Sequence, residues 1–214
     1  TFKRSTKMKS TEMLQESTLL NIIGHCGLIT LTGIIKFNFF SSANKLVQET
    51  EKATWGQTLR SVYTFSTVED FWCLFNKILS PSKLILGTDF HLFKEGIEPK
   101  WEDKTCAKGG KWTYFFPKSK DVGSLDEYWL KLLLALIGEQ FCEADEICGA
   151  VVSVRQKQHR IALWTKTAAN ESDQISIGKH LRCILEVSEN EKIGYMVHDD
   201  AIKLERKAKD RYTV

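Results

Sequence analysis

The sequence predicts an α+β domain in which helices cover one face of an antiparallel β-sheet. Segments with helical periodicity and capping residues alternate with short runs that are rich in β-branched and aromatic residues. Two of these runs, Ile147 to Arg155 and Arg160 to Lys166, are joined only by QKQH, and so short a connection implies an antiparallel hairpin. The chain of 214 residues, 43% hydrophobic and 27% charged, is long enough to bury a sizeable core.

The first helix is predicted in FSTVEDFWCLFNKILSP. Ser66 and Glu69 have capping-box spacing, and Pro81 limits the far end. Its apolar residues recur at helical spacing and form a core face. Val68 and Trp72 lie four residues apart on it, so they could also form one exposed ridge.

A second helix is predicted in SLDEYWLKLLLALIGEQF, with Ser124 and Glu127 again at capping-box spacing. Its apolar residues extend further round the helix than one buried face needs. Leu130 and Leu134 lie at this margin, where they belong either to the core or to an edge that docks a partner. A third helix is predicted in ESDQISIGKHLRCILEV.

Strands are predicted in six runs by their β-branched and aromatic content. These runs are SVYTF, DFHLFK, KWTYFF, ICGAVVSVR, RIALWTK and KIGYMVH. No repeat or long linker divides them, so they are expected to share one sheet.

Composition and motifs exclude several classes of protein. The net charge of +3 does not indicate a strongly basic nucleic-acid binder, although a local basic patch fits it. The six cysteines form no CxxC pair and no zinc-type spacing with the five histidines, so neither a metal nor a cofactor is expected. P-loop, nucleophile-elbow and HExxH patterns do not occur. The prediction is a protein without enzymatic activity.

Two tryptophans in turn-like segments suggest a binding site. Trp55 in ATWGQ and Trp101 in PKWED could close on the two faces of a flat ligand. The carboxylate of Glu102 could accept hydrogen bonds from paired N–H donors, such as those on the edge of guanine. A positive charge on the ligand would add cation–π attraction of roughly 2 kcal/mol or more where it is desolvated. A glycosidase, with Glu102 and Asp103 as acid and base, is a weak competitor, because adjacent residues on extended backbone point in opposite directions.

Cationic residues surround the turn of the predicted hairpin. Arg155, Lys157, His159 and Arg160 could bind phosphate groups, and Trp164 lies on the same hairpin. The alternative is a solvated hairpin tip without a ligand. Combination with the two loop tryptophans favours a binding site.

Seven motifs, in this order, resemble the translation initiation factor 4E family, whose members bind the 7-methylguanosine cap of messenger RNA. They are ATWGQ, YTFSTVEDFWCLFNKI, LFKEGIEPKWED, GGKW, ALIGEQF, EICGAVVSVR and IALWTK. The resemblance runs from about Thr54 to Val214 and is strongest toward plant members. It implies a curved antiparallel sheet with three helices on the convex face and a cap pocket on the concave face. It also implies a cytoplasmic protein, with the nucleus as a second compartment.

The matching motifs imply a role for each candidate residue. Trp55 and Trp101 would sandwich the methylated guanine, and Glu102 would accept its N1–H and N2–H. The backbone N–H of Trp101 would donate a hydrogen bond to the guanine carbonyl, and Trp164 would border the N7-methyl group. The phosphate chain would be bound by three cations, which are Arg155, Lys157 and Arg160.

The resemblance also implies protein partners. A segment of the scaffold factor 4G, or of related binding proteins, would pack on the convex side against four residues, which are Val68, Trp72, Leu130 and Leu134. Lys131 stands in that edge where some family members carry an acid, so the charge of this edge differs from theirs. A viral genome-linked protein is a further partner of plant relatives.

Cys106 and Cys148 match a cysteine pair that can form a disulfide in plant members, and two free thiols are the alternative.

The resemblance ends upstream of about Lys45, where family members carry a His-Pro-Leu motif and a tryptophan-rich first strand. The FNFF run from Phe37 to Phe40 is a poor substitute for that strand. We therefore expect residues 1–44 to be a divergent extension and residues 45–214 to be the cap-binding domain. The extension fits a divergent paralogue, a splicing or gene-model product, or a membrane-tethered variant. An alternative function follows from it: a cap-binding or partner-binding regulator that is defective in scaffold recruitment.

A charge-free stretch within this extension, from Ser17 to Ile35, approaches the length of a membrane span. Its glycines, threonines, Asn21 and His25 make it a poor span, so no membrane is expected.

Overall fold

The computed structural model describes residues 35–43, 59–116, 121, 123–204 and 208–214. This part of the chain contains eight strands, which are β1 (Phe37–Ala43), β2 (Leu59–Phe65), β3 (Thr88–Lys94), β4 (Gly110–Phe116), β5 (Ile147–Ser153), β6 (His159–Thr165), β7 (Ile193–Val197) and β8 (Tyr212–Thr213). It contains four α-helices, which are α1 (Val68–Phe75), α2 (Gly123–Ile137), α3 (Glu171–Leu185) and α4 (His198–Leu204).

The strands form one curved antiparallel sheet in the order β2-β1-β3-β5-β6-β4-β7-β8. The predicted α+β class is confirmed. The predicted hairpin is present as β5 and β6, which pair antiparallel. The structure has a fourth helix, α4, which the sequence did not predict and which begins directly after β7.

Helices α2 and α3 lie on one face of the sheet, and the alternation of β4 shows which face. Trp112, Tyr114 and Phe116 are at most 1% exposed. The Phe116 ring meets Tyr128 of α2 with centroids 5.7 Å apart. Gly178 of α3 lies so close to Trp112 that a Cβ there would be 2.6 Å from the indole Cζ2, so only glycine allows this approach. The intervening residues of β4 therefore point to the opposite face.

The FNFF run forms β1, which lies between β2 and β3. Phe37 stacks on Phe65 of β2 with centroids 5.8 Å apart, and Phe39 meets Phe90 of β3 at 5.1 Å. The substitute strand therefore buries aromatic surface between its neighbours. The division of the chain at residue 45 falls in a segment outside the described residues and stays a prediction, while residues 35–43 lie in the same unit as the sheet.

The helix caps differ from those predicted. Thr67 rather than Ser66 is the N-cap of α1, and its side chain accepts a hydrogen bond from the Asp70 N–H at 3.1 Å. Ser124 lies inside α2, which begins at Gly123. Asn170 caps α3 and accepts from the Asp173 N–H at 3.4 Å. Both predicted capping boxes were therefore misplaced by one or more residues, the usual uncertainty of helix ends.

No helix in the described ranges is long and apolar enough to span a membrane. The charge-free stretch from Ser17 lies outside the described residues, apart from its last residue. Within the same ranges, no group of three or more metal-ligating side chains is present.

Candidate functional site

A pocket of about 480 Å³ opens on the face of the sheet opposite α2 and α3. Strand register arranges its floor in three cross-strand rows. The first row pairs Lys111 with Trp164; the second contains four residues, which are Thr113, Ala162, Val151 and His91. The third row contains Phe115, Arg160, Ser153 and Asp89. Successive rows are two residues apart along each strand, or roughly 7 Å.

The first row lies beside an aromatic cluster. Trp164 is 3% exposed, and its ring lies 4.4 Å from that of His198, the first residue of α4. Trp101 stacks on the other side of the cluster, with its centroid 6.3 Å from His198 and the two planes at 20°. The His198 N–H donates to the Gly109 carbonyl at 3.0 Å, which ties the start of α4 to the segment before β4. The unpredicted helix therefore positions both indoles.

The loop that carries Trp101 is held by Asp103. Its carboxylate accepts from the backbone N–H of Thr105 at 2.9 Å and of Glu98 at 3.2 Å. Asp103 is thus occupied by the backbone, which removes the partner that a Glu102 and Asp103 acid and base pair would need. Trp101 is half-buried against the core rather than fully exposed, and Glu102 is exposed at the pocket wall.

Lys111 places a cation at the aromatic end. Its Nζ lies 5.3 Å from the Trp101 ring centroid and 6.0 Å from that of Trp164. Burial lowers the pKa of Lys111 to about 8, and the positive charge of Arg160 acts in the same direction. Burial, and then the charge of Lys111, lowers the pKa of His198 to about 3, so this imidazole is neutral at physiological pH.

The third row is electrostatically different. Arg155 follows β5 and forms an ion pair with Asp89, with Nη2 2.7 Å from Oδ1 and 2.8 Å from Oδ2. Its Nη1 donates to the carbonyls of Val154 at 3.0 Å and Thr88 at 3.3 Å. The guanidinium is therefore fixed at the pocket by four contacts.

Arg160 is exposed at the same end, with its guanidinium carbon 5.5 Å from the Phe115 ring centroid. Lys157 is also exposed, at the hairpin turn, but it does not line the pocket. The structure thus brings two of the three predicted phosphate-binding cations to the pocket wall.

His91 is buried in the middle row, 2% exposed, and neither ring nitrogen has a hydrogen-bond partner in the described part of the chain. Burial lowers its pKa to about 4, against the opposing effect of the Asp89 charge. The middle of the floor is consequently uncharged, between an aromatic end and a cationic end.

Five predicted site residues converge on this pocket, and they are Trp101, Glu102, Arg155, Arg160 and Trp164. Trp55 lies outside the described residues, so its place stays a prediction. The sequence analysis missed Lys111, Asp89, His91, His198 and Phe115. Period-two alternation with buried neighbours could have placed Lys111 and Asp89 on this face, since each directly precedes a buried aromatic residue of its strand.

The predicted scaffold-binding residues lie on the helices. Val68 and Trp72 of α1 are half-buried, as is Leu130 of α2, whereas Leu134 is only 7% exposed and belongs mainly to the core. Lys131 forms ion pairs with Glu127 at 2.8 Å and Glu186 at 2.9 Å, and burial opposes the rise in its pKa that these carboxylates cause.

Cys106 and Cys148 are free thiols, each 0% exposed, in one cluster with Phe93, Trp164 and the edge of Trp101. Gly149 beside them lets the Phe93 and Trp164 rings meet edge to face at 5.4 Å, since a Cβ there would lie 2.6 Å from Phe93 Cγ. The redox pair stays a prediction, and its cluster forms the underside of the pocket.

A single antiparallel sheet, with α2 and α3 on one face and an aromatic and cationic pocket on the other, defines an α+β domain with a ligand-sized pocket. The sequence profile of the eukaryotic initiation factor 4E family matches residues 36–213. Eukaryotic translation initiation factor 4E-1 of Oryza sativa subsp. japonica is 58% identical over 166 residues, 78% of this chain and 70% of that protein. Its counterpart from Nicotiana tabacum is 56% identical over 166 residues, 78% of this chain and 72% of that protein.

Solved structures agree with these relatives. Ascaris suum eIF4E-3 with an m7G cap has a TM-score of 0.75 and 39% identity, covering 84% of this chain and 94% of that one. Caenorhabditis elegans eIF4E-3, with the 4E-binding protein Mextli and a cap analogue, has a TM-score of 0.75 and 39% identity, covering 84% and 96%. The chain belongs to the eukaryotic initiation factor 4E family, which confirms the resemblance and the expectation of a protein without enzymatic activity.

Proposed function

We propose that the chain binds the 7-methylguanosine cap of messenger RNA and recruits the scaffold factor 4G to it, in the cytoplasm. One observation carries the proposal: the pocket has Trp164 in its first row with Trp101 beside it, and at the other end Arg160 in the third row with Arg155 paired to Asp89 of that row. The two ends are four residues apart along the strands, or roughly 13 Å. A flat cationic base joined to a phosphate chain has this layout, and the relatives crystallised with a cap analogue support it.

At the base end, Trp101 offers stacking surface, and Trp55 is proposed as the opposite face of the sandwich. Stacking contributes roughly 1 to 3 kcal/mol per base, and the methyl-induced charge adds cation–π attraction that unmethylated guanine lacks. Glu102 accepts the paired N–H donors of the guanine edge. Trp164 closes the floor beneath the N7-methyl group. The site therefore favours methylated guanine.

At the phosphate end, Arg155 and Arg160 neutralise the triphosphate, and Lys157 can reach in from the hairpin turn. The ammonium of Lys111, in the first row, adds a further cation to the pocket. Charge-assisted hydrogen bonds of this kind are roughly twice as strong as neutral ones. Affinity should consequently increase with the number of phosphates.

Retention on a 7-methyl-GTP resin tests the cap-binding proposal. Trp101→Ala should abolish most retention, and 7-methyl-GTP should elute the wild type where GTP does not. Trp72→Ala is a matched control, because it removes a half-buried tryptophan from the helical face and leaves the pocket intact. Equal retention of the wild type and Trp101→Ala would rule the site out.

The recruitment surface consists of Val68 and Trp72 on α1 with Leu130 on α2. Complexes of relatives with 4E-binding proteins support a partner here. Trp72→Ala should lower the affinity for a 4G peptide at least tenfold, whereas Trp101→Ala should leave this affinity unchanged. Lys131→Glu tests the charge of this edge, because it would place an acid between Glu127 and Glu186. Unchanged peptide affinity of Trp72→Ala would argue against the surface.

A further inference from the structure

Phe115 is an exposed aromatic side chain inside the pocket. It is 43% exposed, whereas its strand neighbours Tyr114 and Phe116 are 1% exposed on the helical face. It ends the third row, directly opposite Arg160 in the β4 and β6 register. A large apolar side chain gains little stability from this position, since much of its surface stays in water.

Arg160 holds its guanidinium carbon 5.5 Å from the centroid of the Phe115 ring. An aromatic ring and a planar guanidinium are the two kinds of side chain on which unpaired nucleobases stack. Here the guanidinium lies over the ring, and both side chains are exposed. The pair therefore offers a stacking surface beside the phosphate contacts, in which Arg160 also takes part.

The position of this pair decides which base could reach it. The third row is roughly 13 Å from the first row along β4, and Asp89 of the same third row holds Arg155 by an ion pair. A ligand with its first base beside Trp101 and Trp164 brings its phosphates to this row. The group that follows the phosphates then lies beside Phe115.

We propose that Phe115 and Arg160 form a second stacking site, which binds the base of the nucleotide that follows the cap triphosphate in capped RNA. This inference rests on the proposed cap binding and extends it from a mononucleotide to a dinucleotide footprint. Purines, with their larger stacking surface, bind there more tightly than pyrimidines.

The experiment compares two ligands, 7-methyl-GTP and the dinucleotide 7-methyl-GpppA, by isothermal titration calorimetry. For each protein the quantity is the Kd of 7-methyl-GTP divided by the Kd of the dinucleotide. Phe115→Ala should lower this ratio at least fivefold, the lower end of what base stacking contributes by alanine substitution. Phe115→Tyr should keep the wild-type ratio because the ring remains.

Tyr63→Ala is the matched control. Tyr63 is also 43% exposed, but it lies on β2 outside the pocket lining, so its loss should leave both affinities unchanged. If Phe115→Ala weakens both ligands equally, Phe115 only orients Arg160 toward phosphate and the second site is refuted. An unchanged ratio with unchanged affinities refutes it as well. Failure of the wild type to bind 7-methyl-GTP would instead overturn the cap-binding proposal, and this inference with it.

Discussion

Asp89 of β3 and Arg155, which follows β5, form a partly buried ion pair, with both carboxylate oxygens within 2.8 Å of Arg155 Nη2. Ser42 Oγ also donates to this carboxylate at 3.4 Å, and the Asp89 side chain is only 7% exposed. Strands β1 and β3 and the segment after β5 are therefore tied together at the cationic end of the pocket. The guanidinium is oriented before any ligand arrives, which reduces the entropic cost of binding.

Asp89→Ala should destabilise the fold by about 3 kcal/mol, because it leaves the partly buried Arg155 without its counter-ion. The variant should also bind 7-methyl-GTP more weakly, since Arg155 loses its orientation. Urea unfolding of Asp89→Ala, Arg155→Ala and the double variant measures the coupling. Additive losses would show that the ion pair contributes nothing beyond its separate parts.

His91 should make the fold sensitive to acid. Its pKa is lowered to about 4 by burial, whereas an unfolded histidine titrates near 6.5. Between these values the unfolded chain binds a proton that the folded chain does not, so stability falls as the pH decreases from 6.5 to 4. The loss from pH 7.5 to pH 5 should be about 2 kcal/mol, measured by urea unfolding.

His91→Leu is the matching variant, because leucine fills a similar volume beside Val151 and Phe40 and does not titrate. It should lose about 2 kcal/mol less than the wild type over the same interval. His198, with its pKa near 3, still contributes acid sensitivity in both proteins. Parallel pH profiles of wild type and variant would contradict the assignment.

Lys111 should lower the stability of the fold and raise the affinity for 7-methyl-GTP. Its ammonium is half-buried between two indoles, and the lowered pKa near 8 shows that its charge is poorly solvated. Lys111→Met should therefore raise the free energy of unfolding by about 1 to 3 kcal/mol and lower the affinity for 7-methyl-GTP. Lys157→Met is the control, since an exposed lysine should change stability by less than about 0.5 kcal/mol. A destabilised Lys111→Met protein would contradict this account.

Much of the fold could be predicted because helical and strand periodicities are local properties of the sequence. The hairpin of β5 and β6 is the clearest case, since its turn signal and both strands are contiguous. Helix α4 was missed because it begins at His198, directly after a strand and without a capping residue.

The pocket was only partly predictable because its rows depend on pairing between distant strands. Tyr114, Phe115 and Phe116 are consecutive aromatic residues, so their sequence contains no alternation that shows which one faces the pocket. The buried nitrogens of His91 and the approach of Lys111 to Trp101 likewise follow from tertiary packing. By contrast, Trp101, Glu102 and the hairpin arginines were found because unusual residue types stand in turn-like segments.

The two buried cysteines should resist modification in the folded protein. The hydrogen bond with Cys106, together with burial, raises the pKa of the Cys148 thiol, and the thiolate is the reactive form. At pH 7.5 iodoacetamide should label Cys73, Cys142 and Cys183, which are exposed, and leave Cys106 and Cys148 unlabelled until urea is added. Peptide mass spectrometry distinguishes the sites. Labelling of Cys148 at the rate of Cys183 without urea would show that this core opens, and because the pair packs with Trp164 and Trp101, such opening would also expose the underside of the pocket.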